Sequence, residues 1–227
     1  MTTTALRRGS PPRRGWRVPA GLLLLGFIPV LAGAFRLTQL GGGAEITPAN
    51  ERFFATPGPV VVHIVAVSGY AILGALQFAP RLRARRRGWH RVAGRLVVLC
   101  GLIGALSGLW LTLFFPRPDN VGDLLTAVRL VVGSAWILFL VLGFTAIRRR
   151  DVAGHRVWMI RAYALAMGAG TQAVTQVPLI VAVGELDRLG NALAMSAGWA
   201  INVAVAEWLI RRRPSRPVRN TKPLEAR

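Results

Sequence analysis

Six runs of apolar residues, almost free of charge, dominate the chain at 18–40, 59–79, 92–115, 124–147, 157–183 and 191–210. A helix of ~20 residues rises ~30 Å, the thickness of a bilayer's hydrocarbon core. A soluble fold interleaves apolar and polar residues at the period of a helix or strand, and these runs do not. Hydrophobic residues make up 53% of the chain and charged residues 17%, and the charge is collected between the runs. The sequence therefore predicts an all-α integral membrane protein, a bundle of six transmembrane helices.

The net charge of +20 raises the question of a nucleic-acid partner. A nucleic-acid interface gathers its cations on one soluble face, whereas arginines that flank apolar runs set membrane topology. Here 24 of the 29 lysines and arginines fall in an N-terminal arm, two hinges at 81–95 and 148–161, and a C-terminal tail. Only Arg36, Arg52, Arg117, Arg129 and Arg188 fall elsewhere. No nucleic acid is expected, and both hinges and both termini are expected in the cytoplasm of a bacterial cell, with the protein multi-pass in its inner membrane. The expected partners are the bilayer and anionic lipid headgroups at the basic hinges. A protein partner or an oligomer is left open.

The expected organisation is a disordered basic arm (1–17), a six-helix domain (18–210) and a basic tail (211–227). The first run also resembles a signal peptide, with Ala32-Gly33-Ala34 as cleavage site. A retained helix is preferred because the run continues past Ala34. Between the first two runs, Thr47-Pro48 suggests one short surface helix with Thr as its cap. Cys100 stands alone, so no intramolecular disulfide is expected.

The two hinges echo one another. His90-Arg91-Val92 and His155-Arg156-Val157 are offset by 65 residues, each between two apolar runs. A parallel two-helix repeat, spans two and three against spans four and five, would produce this. So would convergent positive-inside chemistry, and both readings stand. In the third span Gly94, Gly101 and Gly108 recur at seven, a strip that lets two backbones approach.

Polar side chains inside a span are costly and need a partner or a wet cavity. His63, Tyr70 and Gln77 lie seven apart in the second span, which places them on one helical face. Such a stripe is either interhelical glue or the wall of a path for a proton or small molecule. Arg129 in the fourth span either reaches back to the surface or meets an anion near the depth of His63. Gln172 and Gln176 in the fifth span and Asn202 and Glu207 in the sixth complete the polar intramembrane set. A carboxylate at position 207 is expected to pair with Arg161 or Arg156. The hinge residues are His90, Arg91, Arg95, His155, Arg156 and Arg161. No catalytic set, phosphate loop or metal motif is present in the sequence, and the cofactor is unknown. His63, His90 and His155 can hold at most one bis-histidine haem b.

The chain carries His63-Ile64-Val65, Gln77-Phe78, the hinge Trp89-His90-Arg91-Val92-Ala93-Gly94-Arg95, the hinge His155-Arg156-Val157-Trp158-Met159-Ile160-Arg161-Ala162-Tyr163, and Asn202 with Ala206-Glu207-Trp208. Together they resemble the bacterial membrane family catalogued as domain of unknown function 2306. The resemblance covers about 22–213 and implies a multi-helix inner-membrane protein, with no reaction, cofactor or substrate attached. The family pattern has an arginine late in the fifth helix, where this chain has Gln172 and Gln176. That departure counts against an anion or a haem propionate on this helix. Three functions follow: a proton or small-molecule path along the stripe, a b-type haem electron carrier, and a structural or lipid-interacting subunit without chemistry.

Overall fold

The computed structural model of the protein describes residues 16–48 and 50–212. The expected arm (apart from residues 16 and 17) and the tail beyond residue 212 lie outside the described residues.

Among the described residues six helical segments are long and apolar enough to cross a membrane. They are α1 (Arg17–Gly42), α3 (Pro57–Gln77), α5 (Arg87–Phe114), α6 (Asp123–Arg148), the pair α7 (Val152–Ala166) and α8 (Gly168–Val183), and α9 (Arg188–Arg211). Two short helices, α2 (Glu51–Ala55) and α4 (Pro80–Arg85), join α1 to α3 and α3 to α5. The protein is a six-helix membrane protein.

The packing is inverted relative to a soluble core. Leu24, Phe35, Val131 and Val181 lie on the outside, while Ala75, Ala105, Ala162 and Ala206 are buried. Large apolar groups find lipid as favourable as protein, so small residues take the contacts where backbones must come close. The aromatic centre is an exception: Tyr70, Trp136 and Tyr163 are buried with Leu140 and Val97. α3 packs on α5, α6 on α7, and α8 on α9, while α1 leans on α3 and α8.

Local chemistry fixes the ends. Prolines open α3 and α4, where a missing N–H costs nothing. Asp151 caps α7 by accepting from the N–H of Gly154 at 2.8 Å, and Asp187 caps α9 from Gly190 at 2.7 Å. α1 stops at Gly43, whose φ of +66° is the left-handed conformation a glycine allows.

The first basic hinge holds a short helix: α4 fills 80–85 and α5 begins at Arg87, because Pro80 starts a turn and arginine is a good helix former. Two sequence expectations are corrected. The short surface helix starts at Glu51, not at Thr47. Thr47 opens a turn instead, in which its carbonyl accepts from the N–H groups of Asn50 and Glu51, and Asn50 Oδ1 accepts from Thr47 N at 2.7 Å. The fifth span is two helices, interrupted at Met167. A side chain on Gly168 would meet the indole of Trp199, and one on Gly170 would meet the carbonyl of Leu25.

Candidate functional site

His63, Tyr70 and Gln77 descend one face of α3, and Gly108, Gly101 and Gly94 climb the facing side of α5. The two strips mesh in antiparallel register. A Cβ placed on Gly108 would lie 3.1 Å from His63 Cε1, one on Gly101 2.7 Å from Tyr70 Cε2, and one on Gly94 3.9 Å from Gln77 Oε1. Tyr70 and His63 thus press into the space that Gly101 and Gly108 leave empty, while Gln77 only touches the surface at Gly94. Both strips are visible in the sequence; that they interlock is a finding of the structure.

At the end far from the hinges, His63 Nδ1 lies 3.1 Å from the Gly104 carbonyl and 3.0 Å from Ser107 Oγ. The Ser107 hydroxyl donates to the Ile103 carbonyl at 2.7 Å. Both neighbours of Nδ1 can then accept, which assigns the proton to Nδ1 and leaves Nε2 as the basic nitrogen.

Midway along the axis, Tyr70 is stacked on Tyr163 with ring centroids 5.7 Å apart and meets Trp136 edge-on at 5.1 Å. Tyr163 donates its hydroxyl to the Ala71 carbonyl at 2.8 Å. Tyr70 Oη and Trp136 Nε1 are buried near one another, yet neither makes a hydrogen bond of good geometry. Further toward the hinges, Gln77 Nε2 and His90 Nδ1 are also buried without a protein partner. A buried polar atom in this condition calls for an explanation, usually an ordered water.

The other expected site residues separate into distinct groups. Arg161 and Glu207 form a two-pronged ion pair, at 2.6 and 3.1 Å, between α7 and α9. Trp158 packs against the same guanidinium, with its ring 4.8 Å away. The pair borders a narrow groove with Phe139 and Val203 and does not join the stripe.

Gln172, Gln176 and Asn202 belong to a ladder that fastens α8 to α9. Gln172 donates to the Met195 carbonyl at 3.1 Å and Gln176 to Asn191 Oδ1 at 2.7 Å. Asn202 accepts from Thr171 at 2.7 Å and donates to the Ala164 carbonyl at 3.1 Å. Arg129 reaches only the sulfur of Met195, at 3.5 Å. Sequence reasoning missed Trp136, Thr171 and Asn191. Trp136 sits in an unbroken apolar run and reads there as a plain hydrophobe.

At the hinges, His155 Nδ1 lies 2.8 Å from the Gly143 carbonyl, so it donates there. His90 lies within electrostatic range of His155 but makes no matching bond. The echo between the two hinges therefore does not extend to their hydrogen bonds. Arg91, Arg95 and Arg156 are exposed. Among the described residues no three of His, Cys, Asp and Glu converge as a metal site would require.

No curated protein and no solved structure matches the chain. A family model described as a predicted membrane protein, DUF2306, matches residues 60–210, which is two thirds of the length and takes in the stripe, both hinges and the ion pair. The chain belongs to the DUF2306 family of membrane proteins.

Proposed function

We propose that the protein moves protons through the bundle along the line His63, Tyr70, Gln77 and His90. The observation that carries this reading is the run of buried polar atoms without a well-formed protein hydrogen bond, Tyr70 Oη and Trp136 Nε1 beside one another and then Gln77 Nε2 and His90 Nδ1, continuing from the one histidine inside the second span. Successive members of the stripe are seven residues apart, ~10 Å along a helix, which is too far for a direct proton hop. Water bridging the unpartnered atoms closes those gaps. His63, with a basic Nε2, is the group suited to take a proton at the far end, and His90 the group suited to release it at the hinge.

The test is proton flux in vesicles of purified protein, with a potassium gradient and valinomycin supplying the driving voltage. Wild-type protein should acidify or alkalinise the lumen according to the sign of the voltage. His63→Leu and Tyr70→Phe should reduce the flux to that of protein-free vesicles. Wild-type flux no greater than the protein-free level would end the proposal.

The direction of the path depends on orientation. We propose that the hinge end faces the cytoplasm of a bacterial cell, with the protein in the inner membrane and the exposed hinge arginines against anionic headgroups. A reporter fused after Arg227, or inserted near Arg86, should then be cytoplasmic, and one inserted near Asp119 should be extracytoplasmic. An extracytoplasmic signal at position 86 would reverse the assignment.

A further inference from the structure

The end of the bundle away from the hinges gathers three arginines from three different elements. Arg36 comes from α1, Arg52 from α2 and Arg129 from α6. The guanidinium carbons of Arg36 and Arg52 lie 4.0 and 4.7 Å from the centre of the same Phe53 ring, so two cations share one aromatic side chain. Arg52 and Arg129 are within electrostatic range of each other. Like charges repel, so the grouping is unfavourable unless an anion joins it.

Among the described residues no carboxylate forms an ion pair with any of them; the ion pairs are Arg117 with Asp123 and Arg161 with Glu207. Glu45 and Glu51 belong to the same end of the bundle and pair with none of the three. The donors of this trio are also poorly used. Arg129 directs one N–H to a thioether, a weak acceptor, and the buried Nε of Arg52 has no partner. Arg52 otherwise donates to the Pro116 carbonyl at 3.3 Å, and Arg36 to Gln39 Oε1 at 2.7 Å. Burial and the charge of Arg36 together hold the Arg52 guanidinium below its ordinary pKa. The neighbouring Arg117 and Arg188 show what satisfied arginines look like here: one pairs with Asp123, and the other donates to the Asp119 carbonyl at 2.8 Å.

The geometry points to a binding site for a phosphate-type anion formed by Arg52 and Arg129, with Arg36 beside them. The planar fork of arginine matches phosphate oxygens in pairs, which is the use to which unspent guanidinium donors near a membrane edge are suited. The phosphate belongs either to a lipid headgroup or to a soluble anion. The inference is independent of the proton path, since none of the three arginines is part of it.

The test is thermal unfolding of the purified full chain in detergent with two probes, inorganic phosphate and phosphatidylglycerol added to phosphatidylcholine micelles. In wild type, the melting temperature should rise saturably with at least one probe. Arg52→Gln and Arg129→Gln should raise the half-saturating concentration ~10-fold or more, the loss expected for one charge-assisted pair. Arg129→Lys keeps the charge but loses the fork, so it should bind with intermediate strength and also serves if Arg129→Gln does not fold. Arg117→Gln, whose guanidinium is already paired, should respond as wild type does. A response to phosphate identifies a soluble anion, and a response to phosphatidylglycerol alone identifies a headgroup. No rise in wild type with either probe, or equal responses in every variant, would overturn the site.

Discussion

Glu207→Gln should destabilise the bundle by about 2–4 kcal/mol, near the range for breaking a buried ion pair. The substitution leaves the Arg161 guanidinium, held between α7 and α9, without its carboxylate. Only 26% of each side chain is uncovered, and what lies outside is an apolar groove. Removing both charges should cost less than removing one, because apolar side chains of similar size need no partner there. Arg161→Met with Glu207→Leu is therefore expected to be more stable than Glu207→Leu alone. Unfolding by sodium dodecyl sulfate in mixed micelles measures all of these. If the two single losses simply add in the double variant, Arg161 and Glu207 are not coupled.

The three glycines facing the stripe should respond to alanine in a graded order. Gly101→Ala is expected to cost about 1–3 kcal/mol, the usual effect of overpacking a filled core. Its Cβ would sit 2.7 Å from Tyr70 and 2.8 Å from Leu140, both essentially buried and neither free to swing away. Gly108→Ala should cost less, since the 3.1 Å approach to the His63 ring can be relieved by a small tilt. Gly94→Ala, with 3.9 Å to spare, should be neutral, or slightly stabilising because alanine favours the helix. The same unfolding assay ranks them. A larger loss at Gly94 than at Gly101 would mean that α3 and α5 do not mesh in this register.

Much of this architecture is legible in the sequence because lipid imposes a simple rule. An apolar run of bilayer length becomes a helix, and a charge inside it finds a partner. That rule leads from Glu207 to the second hinge, to Arg161 or Arg156, and the structure gives the pair to Arg161. It also places His63, Tyr70 and Gln77 on one face. The register of the stripe against the glycines was within reach as well, since a hairpin that sets Tyr70 opposite Gly101 sets His63 opposite Gly108. The interruption at Met167 was not within reach. Gly168, Ala169 and Gly170 read as small residues in an apolar run, and the neighbours that press on them, Trp199 and Leu25, are remote in sequence. Arg129 poses the same difficulty: the sequence left open whether it reached back to the surface or met an anion, and its place beside Arg52 depends on how α2 folds over the bundle end.

The seat of α1 also sets a timetable for biogenesis. The carbonyl of Leu25 fits against Gly170, and a Cβ added to Gly26 would lie 3.3 Å from Met167 Cε. About 145 residues of chain separate the two surfaces, which a ribosome adding 5–20 residues per second takes roughly 7–30 s to make. During that interval the first helix has only its contact with α3, and its cleft waits unfilled. The nascent chain thus keeps one wall open to lipid until α8 emerges, and that helix is the one that closes it.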